Sequence, residues 1–104
     1  MDYQEKKLNY ALSGGAKEFA ATTAVKVYRG KCVLEVIGTD MDGEACLEIS
    51  ASGENFSEME ETTMILQGTH QVIKINDLPL KSYIRLKVLD GAAGTLTKVR
   101  YLFG

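Results

Sequence analysis

The 104-residue sequence has no tryptophan, one proline, one histidine and two cysteines. Each scarcity closes off a class of chemistry. Any Ser-His-Asp or Cys-His arrangement must be built on His70. His70 follows Gly68-Thr69 at an expected strand start, where a surface or edge histidine is the ordinary outcome. No GxSxG nucleophile elbow is present. Cys32 and Cys46 lack CxxC partners, which argues against zinc and dithiol redox chemistry. No run approaches the roughly 18 apolar residues of a membrane span. The polar start Met1-Asp2-Tyr3-Gln4-Glu5-Lys6-Lys7 does not read as a secretory signal. The expectation is a protein used without export by that route, away from membranes.

What is present is β-pattern. Length and a 45 % apolar content suit one domain with one core over residues 1–104. Residues 23–28 are β-rich and end at Arg29-Gly30; residues 32–37 end at Gly38. In residues 44–50, Ala45, Leu47 and Ile49 share one face, with Glu44, Glu48 and Ser50 on the other. Ser52-Gly53-Glu54-Asn55 makes a turn, residues 62–66 a short β run, and residues 70–75 another. Pro79 belongs in a loop. Residues 82–89 place Ile84, Leu86 and Val88 opposite Tyr83, Arg85 and Lys87. Residues 95–103 place Val99, Tyr101 and Phe103 opposite Lys98 and Arg100. Asp90-Gly91-Ala92-Ala93-Gly94 reads as a hairpin loop between these last two strands. The prediction is an all-β, antiparallel β-sandwich of jelly-roll type, with about seven or eight strands. Its core is Ala45, Leu47, Ile49, Ile84, Leu86, Val88, Val99, Tyr101 and Phe103. Residues 1–21 read as a short N-terminal arm with one or two short strands, in which 8–12 alternate like a strand and 16–21 suit either a helical turn or a strand.

Asp42-Gly43 reads as a two-residue hairpin turn that uses positive φ angles. On that reading Thr39 lies opposite Cys46, and Cys32 falls near Gly53, beyond the Cα separation of about 4.4–6.8 Å that a disulfide needs. Two free thiols are expected, at least one in the core, as suits a reducing compartment. Asp40, Asp42 and Glu44 around that turn are the best candidates for a cation. However, the EF-hand spacing fails, because Gly43 comes too early and Ala51 stands where a glutamate is needed. Glu58, Glu60 and Glu61 form a solvated acidic loop and not the cleft that a glycosidase pair requires. Gly91 and Gly94 do not open a helix, which excludes a phosphate cradle. Tyr28, Tyr83 and Tyr101 remain as platforms for a sugar ring, weighed against core or cross-strand packing. The sequence assigns no catalytic, cofactor-binding or metal-binding residue and leaves the binding face open.

Charge is uneven along the chain. Residues 32–73 hold nine acidic side chains and no lysine or arginine, whereas residues 74–104 hold six basic and two acidic ones. Either sheet pairing mixes these segments in space, or the molecule is bipolar and suited to self-contact or to a basic partner. A pI near 5.4 and the absence of a basic stripe argue against nucleic acid.

Leu47-Glu48-Ile49-Ser50, Ser52-Gly53-Glu54-Asn55-Phe56, Leu78-Pro79, Tyr83-Ile84-Arg85-Leu86 and Gly94-Thr95-Leu96 together resemble small β-sandwich virion proteins of tailed bacteriophages. The nearest kind is the auxiliary, or decoration, capsid protein of crAss-like phages. The resemblance covers residues 31–104 and carries no catalytic residue. It implies a structural protein of the virion, assembled in the host cytoplasm, that docks on the major capsid protein or other virion proteins and forms homo-oligomers. The same order of elements occurs in discoidin-like and other carbohydrate-binding sandwiches, so a small glycan-binding module is the alternative.

Overall fold

The computed structural model describes residues 2–14 and 24–104. Its strands are β1 (Asp2–Ala11), β2 (Val25–Lys26), β3 (Cys32–Ser50), β4 (Ser57–Glu58), β5 (Met64–Ile75), β6 (Tyr83–Val88) and β7 (Ala93–Phe103). A 3₁₀ turn, Leu12–Gly14, follows β1. All pairing is antiparallel, in the order β1-β7-β3-β6-β2, with β4 and β5 also on β3.

The 19-residue β3 organises the molecule. Along its first half, Cys32 pairs with both Ile75 of β5 and Phe103 of β7. Along its second half, Ala45 pairs with both Met64 of β5 and Val88 of β6. Strands β7 and β6 therefore lie end to end on one side of β3, and β5 runs along the other. Between the halves the register slips from Ile37 to Met41, and Asp40 adopts φ 50°. Such a bulge bends a strand and increases its twist. The bend folds the sheet over, so that the inward side chains of both halves meet in one core. Leu34 and Val36 of the first half, Leu47, Ile84 and Leu86 of the second, and Leu96, Val99, Tyr101 and Phe103 of β7 are all buried there. The result is the predicted antiparallel sandwich, with seven strands among the described residues and extents of 33 × 26 × 23 Å.

Several local expectations are overturned. Asp42-Gly43 is not a hairpin turn, because residues 32–37 and 44–50 belong to one continuous strand. The opposition of Cys32 and Gly53 built on that turn falls with it; both cysteines are nevertheless free and buried. Residues 90–94 are not a hairpin loop, since β6 and β7 pair with different halves of β3 and Ala93 and Gly94 already belong to β7. Residues 64–66 and 70–75 merge into β5, with Gly68 as a kink at φ 74° and residues 62 and 63 left outside the strand. Within the expected arm, the short strand proves to be long: residues 2–11 pair along β7, from Asp2 opposite Phe103 to Ala11 opposite Thr95. The assignment of 16–21 lies outside the described residues. The nine expected core residues are buried except Ile49, which is half-buried against the core. Glu48 and Ser50, expected to be wet, are buried.

Candidate ligand-binding face

The outer face of the second half-sheet gathers aromatic and charged side chains. Alternation builds it. Val25 and Val27 turn into the core, which sends Lys26 and Tyr28 outward. Past the end of β2, the Val27 N–H donates to the Ser82 carbonyl at 2.8 Å and the Lys81 N–H to the Val27 carbonyl at 2.7 Å, so Tyr28 is still held at the sheet. Ile84, Leu86 and Val88 face inward, leaving Tyr83, Arg85 and Lys87 outside.

Lys26 sits opposite Tyr83 in the ladder, and its Nζ lies 5.6 Å from the ring centroids of both Tyr83 and Tyr28. A cation between two electron-rich faces is attracted to each. Tyr28 is 60 % exposed. Tyr83 is half-buried because Gly53 packs against its ring. That approach is set by Ser50, opposite Tyr83 on β3, whose Oγ accepts the N–H groups of Ser52 and Gly53 at 3.3 and 2.9 Å. The hydroxyl fixes the loop 51–55, which is why Ser50 is buried.

Next along the face, Arg85 donates through Nε to Glu48 Oε1 at 2.9 Å, and its guanidinium lies 3.8 Å from the Phe56 centroid. Glu48 is buried beneath this pair. Glu48 and Glu58 are directly opposite on β3 and β4, an arrangement that repels. Arg85 offsets the first charge and Lys87 the second, the Lys87 Nζ lying 3.0 Å from Glu58 Oε1. The Glu58 hydrogen bond raises the Lys87 pKa. Burial, and then the same carboxylate, pushes the Cys46 thiol up, its Sγ lying 3.9 Å from Glu58. These side chains hold one another in place. The face thus pairs an accessible tyrosine with donors and acceptors whose positions are already fixed.

The other residues singled out in the sequence go elsewhere. Tyr101 is buried and stacked on Phe103, with centroids 6.3 Å apart, so it is no platform. His70 is on the opposite sheet face, its Nε2 2.5 Å from Glu35 Oε2. Glu35 also receives Arg100, which reaches on to Glu5. Asp40, Asp42 and Glu44 lie along the bend of β3, and no group of three or more metal-ligating side chains gathers among the described residues. Glu60 and Glu61 line two shallow clefts of about 310 and 270 Å³. Gly91 and Gly94 serve the β6–β7 connection. Lys26, Glu48, Phe56, Arg85 and Lys87 of this face are not among the candidates that the sequence singles out. Alternation shows that Lys26 points outward, but not that it falls between two tyrosines.

No family model matches this sequence, and no curated protein matches it. Solved structures do. A CBM36-1 domain of a multidomain xylanase from the hindgut metagenome of Trinervitermes trinervoides superposes with a TM-score of 0.57 at 11 % identity, over 99 % of this chain and 98 % of that one. The CBM35 from Cellvibrio japonicus Abf62 superposes with a TM-score of 0.56 at 12 % identity, over 99 % and 94 %. The chain has the fold of these β-sandwich modules. At such identity the likeness concerns the fold and not the ligand.

Proposed function

We propose that this protein is a small, non-catalytic carbohydrate-binding module that takes a glycan on the face formed by Tyr28, Lys26, Tyr83, Arg85 and Phe56. The observation that carries this reading is the accessible Tyr28 ring beside Lys26 and Tyr83. The apolar C–H face of a sugar stacks on an aromatic ring, while its hydroxyls need polar partners. Lys26 stands beside the platform, and Arg85, Glu48, Lys87 and Glu58 are pinned by mutual ion pairs. Groups already fixed lose little further freedom when a ligand arrives. The whole-length likeness to two carbohydrate-binding sandwiches supports the same reading.

The test is affinity electrophoresis through gels containing soluble polysaccharides of different backbone and charge. The native protein should be retarded by at least one. Tyr28→Ala should weaken that interaction about tenfold, the scale of a single important contact residue. Tyr28→Phe, which keeps the ring, should stay close to native. No retardation in any gel, or equal retardation of Tyr28→Ala, rejects the proposal.

The likeness of residues 31–104 to phage virion proteins supports a second reading, a capsid decoration protein. Its Tyr83-Ile84-Arg85-Leu86 motif falls on β6 and supplies part of this same face. Saturable, salt-sensitive binding to empty shells, with no retardation by polysaccharides, would favour it.

A further inference from the structure

The first half-sheet has two long edges, and they are built differently. On one side β1 carries Glu5, Lys6 and Lys7 and is broken by a bulge between Lys7 and Tyr10. Charges and bulges are the usual means of keeping an edge from pairing with another chain. On the other side β5 is 12 residues long and pairs only with β3 among the described residues. It holds no acid, and its only basic side chains are Lys74 and His70. His70 is drawn back over its own sheet by Glu35. Ile65 and Val72, both on β5, are 64 % and 52 % exposed. Beyond the kink at Gly68, residues 70–75 pair without interruption against 32–37 of β3. The other edge of that six-residue run is therefore equally regular. Half of its backbone N–H and C=O groups point away from β3, as a template for one more strand.

We infer that residues 70–75 of β5 form a pairing edge for a second copy of this chain. The occupant that matches the edge in length, in low charge and in exposed apolar side chains is the same segment of another molecule. Antiparallel pairing about a two-fold axis satisfies the outward backbone groups of both copies at once. It also brings the two Val72 side chains onto one continuous outer surface. The alternative partner edge, β1, is the guarded one. Tyr28, Tyr83 and Phe56 lie off β5, so the inference stands apart from the glycan reading, and a dimer would present their face twice.

Sedimentation equilibrium from micromolar to sub-millimolar protein tests this, at low salt and at about 0.5 M salt, where screening reaches only a few ångströms. The expected result is a monomer–dimer equilibrium that salt leaves unchanged and that Val72→Lys weakens at least about tenfold. Val72 is exposed, so the variant should keep the native circular dichroism spectrum and melting temperature. As a second readout, outward amides within 70–75 should exchange with deuterium more slowly as native protein is concentrated. A monomer throughout, a dimer that salt dissociates, or a dimer indifferent to Val72→Lys overturns the inference.

Discussion

Two glycines mark where the fold is least tolerant. Near the bend of β3, a Cβ on Gly38 would lie 2.2 Å from the Thr95 carbonyl oxygen, and one on Gly94 would lie 2.3 Å from that of Asp40. Gly94 also has φ 99°. Gly91 has a similar φ, 88°, but open space around it. Gly91→Ala should therefore show the conformational cost alone, roughly 1–2 kcal/mol. Gly94→Ala should lose a further ~1–3 kcal/mol from the forced separation of β7 and β3. Urea melts of the two variants decide this, and equal losses would mean that the close approach is not the cause. At this scale the sequence was readable wherever one periodicity governed a residue. Ile84, Leu86, Val88, Val99, Tyr101 and Phe103 all went inward as their alternation required. Glu48 and Ser50 did not stay wet, because alternation separates the two faces of a strand without saying what later covers the outer one. Here the Arg85–Phe56 pair and the loop 51–55 cover it, and neither is encoded within residues 44–50.

Between strands, the outer face of the first half-sheet is tied by ions. Tyr3 donates to Glu5 at 3.1 Å, Glu5 and Glu35 share Arg100, and His70 closes the chain, so β1, β7, β3 and β5 are linked in series. The Glu5 pKa is lowered chiefly by the Arg100 hydrogen bond. That of Glu35 is lowered by His70 first and Arg100 second. Folded-state values below the ordinary 4.5 mean that the unfolded chain binds more protons on acidification. The stabilisation is complete above that value and is lost as pH falls through the folded values. Melting temperature should decline from about pH 5 to about pH 3, and the double variant Glu5→Gln, Glu35→Gln should flatten that slope. An unchanged slope would assign the acid sensitivity to other carboxylates. Both groups are near the surface, so the effect should be modest. The misread turns also belong at this scale. Asp42-Gly43 and Gly68 are ordinary hairpin signals, but a turn forms only if its flanks pair with each other. Residues 32–37 and 41–45 both pair with β5, and the glycine signals became bends within long strands.

For the whole molecule, the acidic middle of the chain ends up among bases. Glu35 meets Arg100, Glu48 meets Arg85 and Glu58 meets Lys87, each acid from the segment without lysine or arginine and each base from beyond it. The charge segregation seen in sequence is thus partly a record of which strands neighbour which. The sequence made the sandwich readable through strand number and spacing, but not its hub, because no local signal says that one strand will touch four others. Since β3 contributes to every part of the core, separate unfolding of one half-sheet would leave the other without its central strand. Urea unfolding followed by tyrosine fluorescence and by far-ultraviolet circular dichroism should give coincident transitions; two separated midpoints would show independent halves. The pairing of β1 with β7 also bears on synthesis. Asp2 stands opposite Phe103, so of these strands β1 is made well before the partner that it needs, β7. While the strands between them are made β1 waits unpaired, and Glu5, Lys6 and Lys7 then protect a nascent chain whose native contacts form late.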